Sequence, residues 1–119
     1  MTDLIRQKSQ AMQAELVRLR RDIHRHAEVG WTEFRTAALI AARLKVLGYN
    51  VKMGEAAVKM ADMLGVPTPA ELTAHMERAI KQGADPELVK AMEGGLTGLV
   101  AELDSGNPGP LIALRFDID

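Results

Sequence analysis

The chain has 119 residues, of which 47% are hydrophobic and 3% aromatic, and this is enough for one small globular domain. Its 15 basic and 16 acidic residues nearly balance, which argues against nucleic acid or an anionic membrane as a partner. The chain has no cysteine, which excludes disulfides and thiolate metal sites. No secretory signal and no stretch of roughly 20 apolar residues is present. We therefore expect a soluble, cytoplasmic protein.

Two helices and a short strand are predicted in the first part of the chain. The first helix runs from about Asp3, its N-cap, to His26, and its apolar stripe comprises Met12, Leu16, Leu19 and Ile23. Another face carries Arg18, Arg21 and Arg25, which either bind phosphate or, as we favour, form a solvated surface. The second helix begins after Thr32 as N-cap and ends at Gly48. A strand over Tyr49–Met53 follows, and this helix-to-strand step is typical of an α/β layer.

Residues 55–95 are predicted to form a helical insertion between two strands. A short helix over Glu55–Leu64 comes first. The sequence Thr68-Pro69-Ala70-Glu71 then combines an N-cap threonine, a proline at the first helical position and a glutamate three residues after the cap, which strongly predicts a helix start. A further short helix begins at Asp85 and ends at Gly94. Methionines concentrate here, either as core filling or, less simply, as an interface with a partner.

The last part of the sequence predicts a β-hairpin. Two apolar runs, Leu96–Leu103 and Leu111–Ile118, are separated by seven residues that nearly all favour turns. Because a chain rarely ends on a buried strand and a hairpin needs more sheet to be stable, we expect a truncated chain or a split domain. Open sheet edges then predict self-association.

Acidic side chains at the end of this second run are the candidate site. In a strand, Arg115, Asp117 and Asp119 share one face, and the two carboxylates stand where open α/β sheets bind ligands. They could coordinate a cation or orient a neighbouring ligand. Equally, Arg115 could pair with Asp117 in solvent, and the residues alone do not decide between these interpretations.

The remaining polar residues carry simpler interpretations. His24 and His26 point about 200° apart on a helix, so they favour capping its C-terminus over sharing a metal. Glu28 and Glu33 could bind backbone amides of the turn between the helices. We expect no catalytic role for either glutamate.

Two stretches together resemble the aminoacylase and carboxypeptidase family of zinc hydrolases. Residues 19–36 (LRRDIHRHAEVGWTEFRT) resemble the opening of that family, with Ala27 in place of its usual proline. Residues 109–119 (GPLIALRFDID) resemble the strand that leads into its active site. The ending of that strand is similar to the amidohydrolase branch, and the helical insertion is similar to its p-aminobenzoyl-glutamate hydrolase-like group.

The resemblance implies an α/β fold, with residues 1–119 as the N-terminal portion of an α/β/α metallopeptidase-like catalytic domain. That portion would contain two helices, about three strands and the insertion over 55–95. Asp119 matches an aspartate that orients a metal-binding histidine. Asp117 stands where other branches have a metal-binding histidine, but it is not assigned as a ligand here. The other metal ligands of the family belong to later motifs that these 119 residues lack.

The implied function is cleavage of the amide bond in N-acyl or aminobenzoyl amino acids by a full-length enzyme that uses zinc or manganese. In that enzyme a metal-bound water attacks the amide and a downstream glutamate moves the proton. The 119 residues alone are expected to bind no metal and to be inactive. Their partner would be the remainder of the catalytic domain or a complementary subunit. The alternative is a non-catalytic binding or assembly module that uses the methionine-rich insertion.

Overall fold

The computed structural model describes residues 1–118, so the prediction for Asp119 lies outside the described residues. The elements in chain order are α1 (Thr2–Ala11), α2 (Gln13–Arg25), α3 (Phe34–Val46), β1 (Asn50–Lys52), α4 (Pro69–Lys81), α5 (Pro86–Ala91) and β2 (Val100–Glu102). Two 3₁₀ turns, Gly54–Ala56 and Met60–Asp62, lie between β1 and α4. Within the described range, no helix combines the length and the apolar character needed to cross a membrane.

The core forms around α3, which packs against α4, α5 and β1. Phe34 opens the buried face of α3, and three alanines continue it at positions 37, 38 and 41. Because alanine has a short side chain, α4 and α5 can approach the axis of α3 closely. The other members of the core are Leu72, Ala79, Leu88, Val89 and Met92. Met92 is fully buried, in agreement with methionine as core filling.

The predicted first helix occurs as two helices, with the boundary at Met12. No residue of α1 or α2, both inside the described range, is fully buried. Ion pairs connect α2 to α3 at both of its ends: Glu15 with Arg43 and Asp22 with Arg35, each at 3.0 Å. The radius of gyration, 16.0 Å, exceeds the roughly 13.5 Å expected for a compact domain of this length. The amphipathic pattern of α2 therefore predicted a helix correctly. The apolar side chains of α2, however, remain partly exposed to solvent.

Helices α4 and α5 begin where the sequence predicts. The Thr68 hydroxyl accepts a hydrogen bond from the Glu71 amide at 3.3 Å, and the Glu71 carboxylate accepts one from the Thr68 amide at 2.8 Å. This reciprocal pair is the capping box. Asp85 caps α5 by accepting from the Glu87 amide at 2.8 Å. Proline follows each cap as the first residue of the helix.

The sheet has two antiparallel strands, and its pairing differs from the predicted hairpin. Asn50 pairs with Glu102, Val51 with Ala101 and Lys52 with Val100. The strand predicted over Tyr49–Met53 is thus confirmed as β1, whereas β2 pairs with β1 and not with residues 111–118. Residues 111–118 form neither helix nor strand. The described chain therefore contains two strands instead of about three, and it is compatible with part of an α/β domain.

The helix predicted over Glu55–Leu64 is wrong. Only the two 3₁₀ turns form there, and neither has a side-chain cap. Gly54 and Gly65 bound this segment with positive φ angles of 62° and 68°. Because a segment this short gains few helical hydrogen bonds against a costly nucleation step, the backbone follows tertiary contacts instead.

Candidate functional site

Asp117, one of the two predicted site residues, lies in an exposed segment. Its carboxylate accepts a hydrogen bond from Arg115 Nη2 at 3.0 Å, and the Asp117 side chain is 70% exposed. The local pairing considered from the sequence is therefore present, although no strand imposes it. The second predicted residue, Asp119, lies outside the described residues. The role of both aspartates stays a prediction.

The described residues do not by themselves fit a zinc or manganese site. Across residues 1–118, no three histidine, aspartate or glutamate side chains converge as metal ligands would. His26 instead lies at the C-terminus of α2, where its Nδ1 is 2.9 Å from the Asp22 carbonyl oxygen. This confirms the capping interpretation for His26. We therefore derive no reaction step through a metal from this part of the chain.

The loop between α2 and α3 contains a buried carboxylate, Glu28, whose side chain is only 1% exposed. Its Oε1 accepts from the Thr36 amide at 2.8 Å, and its Oε2 accepts from the Arg35 amide at 3.0 Å. Glu28 thus satisfies two amides that the first turn of α3 leaves without partners. The predicted N-cap Thr32 is wrong, because its hydroxyl donates to the Val29 carbonyl and α3 begins at Phe34.

Glu28 belongs to a set of four charged side chains, Asp22, Glu28, Arg35 and Arg78, which we call the charge cluster. Arg78 Nη2, from α4, donates to Glu28 Oε2 at 2.9 Å. Arg35 Nη2 donates to both carboxylate oxygens of Asp22 at 3.0 Å. The Arg35 hydrogen bond holds the pKa of Asp22 below its ordinary value of 3.8. The charge cluster therefore joins α2, α3 and α4.

Gln82, at the end of α4, connects the two arginines of the charge cluster. Its carbonyl oxygen accepts from Arg35 Nε at 3.1 Å, and its side-chain oxygen accepts from Arg78 Nη1 at 3.2 Å. Among the described residues, Arg35 Nη1 and Arg78 Nε remain buried without a hydrogen-bond partner. Each of the two guanidinium groups donates hydrogen bonds to more than one acceptor. These hydrogen bonds fix the orientation of the group, in addition to the attraction between opposite charges.

A second buried contact joins the start of α3 to the segment before β2. Glu33, expected to bind turn amides, instead accepts a hydrogen bond from the Thr97 hydroxyl at 2.8 Å. Close by, Trp31 has a φ of 65°, which is unusual for a residue with a side chain. A Cβ added to Gly95 would lie 3.1 Å from the Trp31 carbonyl oxygen, so glycine permits this close approach.

Sequence reasoning missed Arg78, Gln82 and Thr97. Arg78 is 50 residues from Glu28 along the chain, and Thr97 is 64 residues from Glu33. Helical spacing places Arg78 beside Gln82 but gives no indication that either faces the α2–α3 loop. A buried glutamate at a helix start does require a cation or donors, so Glu28 is the signal that could have prompted a search for Arg78.

The chain is similar to hydrolases over part of their length. It is 48% identical over 100 residues to one subunit of the p-aminobenzoyl-glutamate hydrolase of Escherichia coli, and the match covers 84% of this chain and 23% of that protein. It is 46% identical over 105 residues to indole-3-acetyl-aspartic acid hydrolase of Enterobacter agglomerans, covering 88% of this chain and 24% of that protein. The chain thus spans about a quarter of the length of these relatives. No protein-family profile matches it.

A solved structure is also similar to this chain. The crystal structure of an aminobenzoyl-glutamate utilization protein from Klebsiella pneumoniae superimposes with a TM-score of 0.84 and 40% sequence identity. The matched region covers 87% of this chain and 26% of that one. Over the matched region, the arrangement of helices and strands is therefore shared with the Klebsiella pneumoniae protein.

Proposed function

We propose that this chain, which is homologous to about a quarter of the length of a p-aminobenzoyl-glutamate hydrolase, is part of a metal-dependent amidohydrolase. The substrates would be N-acyl or aminobenzoyl amino acids, cleaved at the amide bond. The observation that carries the proposal is the 48% identity over 84% of the chain to a named hydrolase of that specificity. Alone, the 119 residues would be inactive.

The contribution of this part would be structural support for the active site. The charge cluster fixes α2, the α2–α3 loop and α4 relative to one another, and the Glu33–Thr97 contact fixes the approach to β2. Rigid supports of this kind hold catalytic groups within the small tolerances that chemistry requires. The side chains that would hold zinc or manganese lie elsewhere in the enzyme, and a metal bound there would supply Lewis-acid chemistry.

Asp119 and Asp117 are the two residues that we propose for the active site. Asp119 would accept a hydrogen bond from a metal-binding histidine and so fix the ring orientation of that histidine. Asp117 would lie beside Asp119 without binding the metal. Substitution of a partner that orients a metal ligand typically lowers activity or metal affinity by about 10- to 100-fold.

A chimera tests the proposal directly. This chain replaces the matching region of the Escherichia coli hydrolase, and the chimera is assayed for hydrolysis of p-aminobenzoyl-glutamate with added zinc or manganese. We expect hydrolysis by the chimera and none by the 119-residue chain. An inactive chimera whose far-UV circular dichroism and thermal unfolding match those of the parent enzyme would contradict the proposed function.

Matched substitutions in the chimera separate the proposed site from the scaffold. Asp119→Asn should reduce turnover strongly, and Asp117→Asn should reduce it to a smaller extent. Asp62→Asn is the control, because Asp62 forms only an exposed pair with Lys59. If all three variants retain the activity of the unsubstituted chimera, then neither proposed site residue acts in the reaction.

The alternative function, a non-catalytic binding module, depends on methionines that are available to a partner. Met92 is buried in the core, Met76 and Met53 pack against the core, and Met60 is 52% exposed. Most of these side chains already have contacts within the chain. The amidohydrolase proposal is therefore the better supported of the two. Binding of a partner protein through Met60 would instead support the alternative.

A further inference from the structure

Residues 54–65, which we call the flap, follow β1 and lie largely in solvent. They form the two 3₁₀ turns, and a glycine with a positive φ stands at each end. Within this segment, all of which the structure describes, only Gly54 is buried. Because little of the flap packs against the core, its position depends on the contacts at its two ends.

The two ends of the flap are attached in different ways. At the first end, a Cβ added to Gly54 would lie 2.6 Å from the Ala91 carbonyl oxygen, so the backbone there is in close contact with the end of α5. At the second end, Trp31 Nε1 donates a hydrogen bond to the Leu64 carbonyl oxygen at 2.7 Å. Among the described residues, no other hydrogen bond joins the flap to the rest of the chain.

The backbone of Trp31 is held in a strained conformation. Its φ of 65° lies in the left-handed region, which is unfavourable for a residue with a side chain. The next residue, Thr32, donates its amide to the Val29 carbonyl oxygen at 3.0 Å, and Gly95 approaches Trp31 closely. Strained residues persist where surrounding contacts hold them, and they concentrate at functional sites. Trp31 therefore gives the flap a fixed point of attachment.

The flap extends from the carboxyl end of β1. That strand ends at Lys52, and the flap begins two residues later. The contact between Glu33 and Thr97 lies at the same end of the sheet, because Thr97 precedes β2 and β2 runs antiparallel to β1. Open α/β sheets bind their ligands just outside the carboxyl ends of the strands. The flap is thus next to the position where a ligand is expected.

The exposed surface of the flap is mainly apolar. Met60 is 52% exposed and Leu64 is 84% exposed. Lys59, the only cation of the flap, pairs with Asp62 at 3.0 Å, which offsets its charge. Methionine adapts readily to aromatic rings through its flexible thioether. This surface therefore suits the acyl part of an N-acyl amino acid, whereas it offers no free cation for the carboxylates of the amino-acid part.

We propose that the flap contacts the acyl group of the substrate through Met60 and Leu64, and that Trp31 is the positioning residue that holds the flap there. The inference rests on the proposed function, because that function names the acyl group. An aromatic acyl group such as aminobenzoyl would cover more of this apolar surface than a small aliphatic one. The flap would then help to determine which acyl groups the enzyme accepts.

The chimera allows the acyl contact to be measured. KM for p-aminobenzoyl-glutamate is compared with the inhibition constant of acetyl-glutamate, which carries the same glutamate on a small acyl group. We expect Met60→Gln and Leu64→Gln to raise KM several-fold, with kcat and the inhibition constant little changed. Leu47→Gln is the matched control, because Leu47 is an exposed leucine before the start of β1, and all three quantities should stay unchanged.

The possible failures differ in what they contradict. If the chimera is active and the two flap variants change neither constant, or change both equally, then the acyl contact is wrong and the proposed function stands. A folded chimera that hydrolyses nothing contradicts the proposed function, and the acyl contact is then rejected with it.

The role of Trp31 can be measured in the 119-residue chain without any substitution. Trp31 is the only tryptophan, so NMR shows a single indole N–H. Because this N–H donates to the Leu64 carbonyl oxygen, we expect it to exchange with deuterated water several-fold more slowly than the indole N–H of N-acetyl-tryptophanamide. Slow exchange of the backbone amides of α3 shows that the chain is folded. Indole exchange at the rate of the free compound in the folded chain would overturn the positioning role.

Discussion

Glu28 shows how one side chain fixes the entry into a helix. Its carboxylate binds two amides of the first turn of α3 and the guanidinium of Arg78, while 1% of the side chain is exposed. An uncharged amide in place of this carboxylate leaves the guanidinium of Arg78 without its counter-charge and keeps only one of the two accepting oxygens, in a region that water reaches poorly. Charged hydrogen bonds of this kind are among the more expensive ones to lose.

We expect Glu28→Gln to lower the free energy of unfolding by about 2 kcal/mol or more, measured by urea denaturation. Glu102→Gln is the matched control, because the Glu102 side chain is 60% exposed and its pair with Lys52 should contribute at most about 1 kcal/mol. Equal losses in the two variants would mean that burial of Glu28 has no energetic consequence.

Asp22 should make the stability of the chain depend on pH. Its folded-state pKa is below 3.8, chiefly because it accepts hydrogen bonds from Arg35, so its stabilising contribution is complete above pH 3.8. The contribution is lost as the pH falls through the folded-state pKa. Asp22→Asn should therefore be less stable than the unsubstituted chain at neutral pH, and the difference should shrink below pH 3.8. Urea denaturation at several pH values measures this, and a constant difference would contradict it.

At the scale of single residues, the sequence predicted local contacts and missed distant ones. The capping role of His26 and the amide contacts of Glu28 follow from their neighbours in sequence. The contacts of Arg78 and Thr97 depend on how α4 and the segment before β2 fold back onto the α2–α3 loop. No periodicity or motif encodes that packing, so these partners could not be predicted from one sequence.

At the scale of elements, α4 allows a test of whether residues next to a helix start determine where the helix begins. Its capping box satisfies two amides at the helix start, and the hydrogen bonds from Thr68 lower the pKa of Glu71. Thr68→Ala should lower the free energy of unfolding by about 1 kcal/mol. Thr73→Ala, in the same helix, should cost nothing or stabilise slightly, because Thr73 is exposed and alanine is the better helix former. Chemical denaturation measures both, and equal effects would contradict the capping role.

Helices α4 and α5, which begin where the sequence predicts, carry their own start signals, whereas the failed hairpin does not. Both α4 and α5 begin with a cap and a proline, and these are determined within four residues. The run Leu111–Ile118 has the composition of a strand, but a strand also requires a partner, and β2 pairs with β1 instead. Strand composition predicts which residues can pair, and the fold decides which residues do pair.

At the scale of the whole molecule, both strands of the sheet have an outer edge that no strand within residues 1–118 pairs with, and we propose that the chain associates through these edges. Sedimentation should show a mass that increases with concentration. Val100→Lys should reduce this increase, because a charge on an edge strand opposes pairing with another chain. Val46→Lys is the control, since Val46 is an exposed apolar residue at the end of α3. A constant monomer mass would contradict the proposal.

The way in which α2 is attached gives the molecule two parts with different responses to ionic strength. Ion pairs connect both ends of α2 to α3, and in the pair between Glu15 and Arg43 both side chains are exposed to solvent. Salt shortens the range of such attractions from about 8 Å at physiological concentration to about 3 Å at 1 M, whereas it leaves apolar packing of α3, α4 and α5 in place. Amide hydrogen exchange in α2 should accelerate with added salt while exchange in α3 stays slow. High ionic strength would then detach α2 while the core around α3 stays folded.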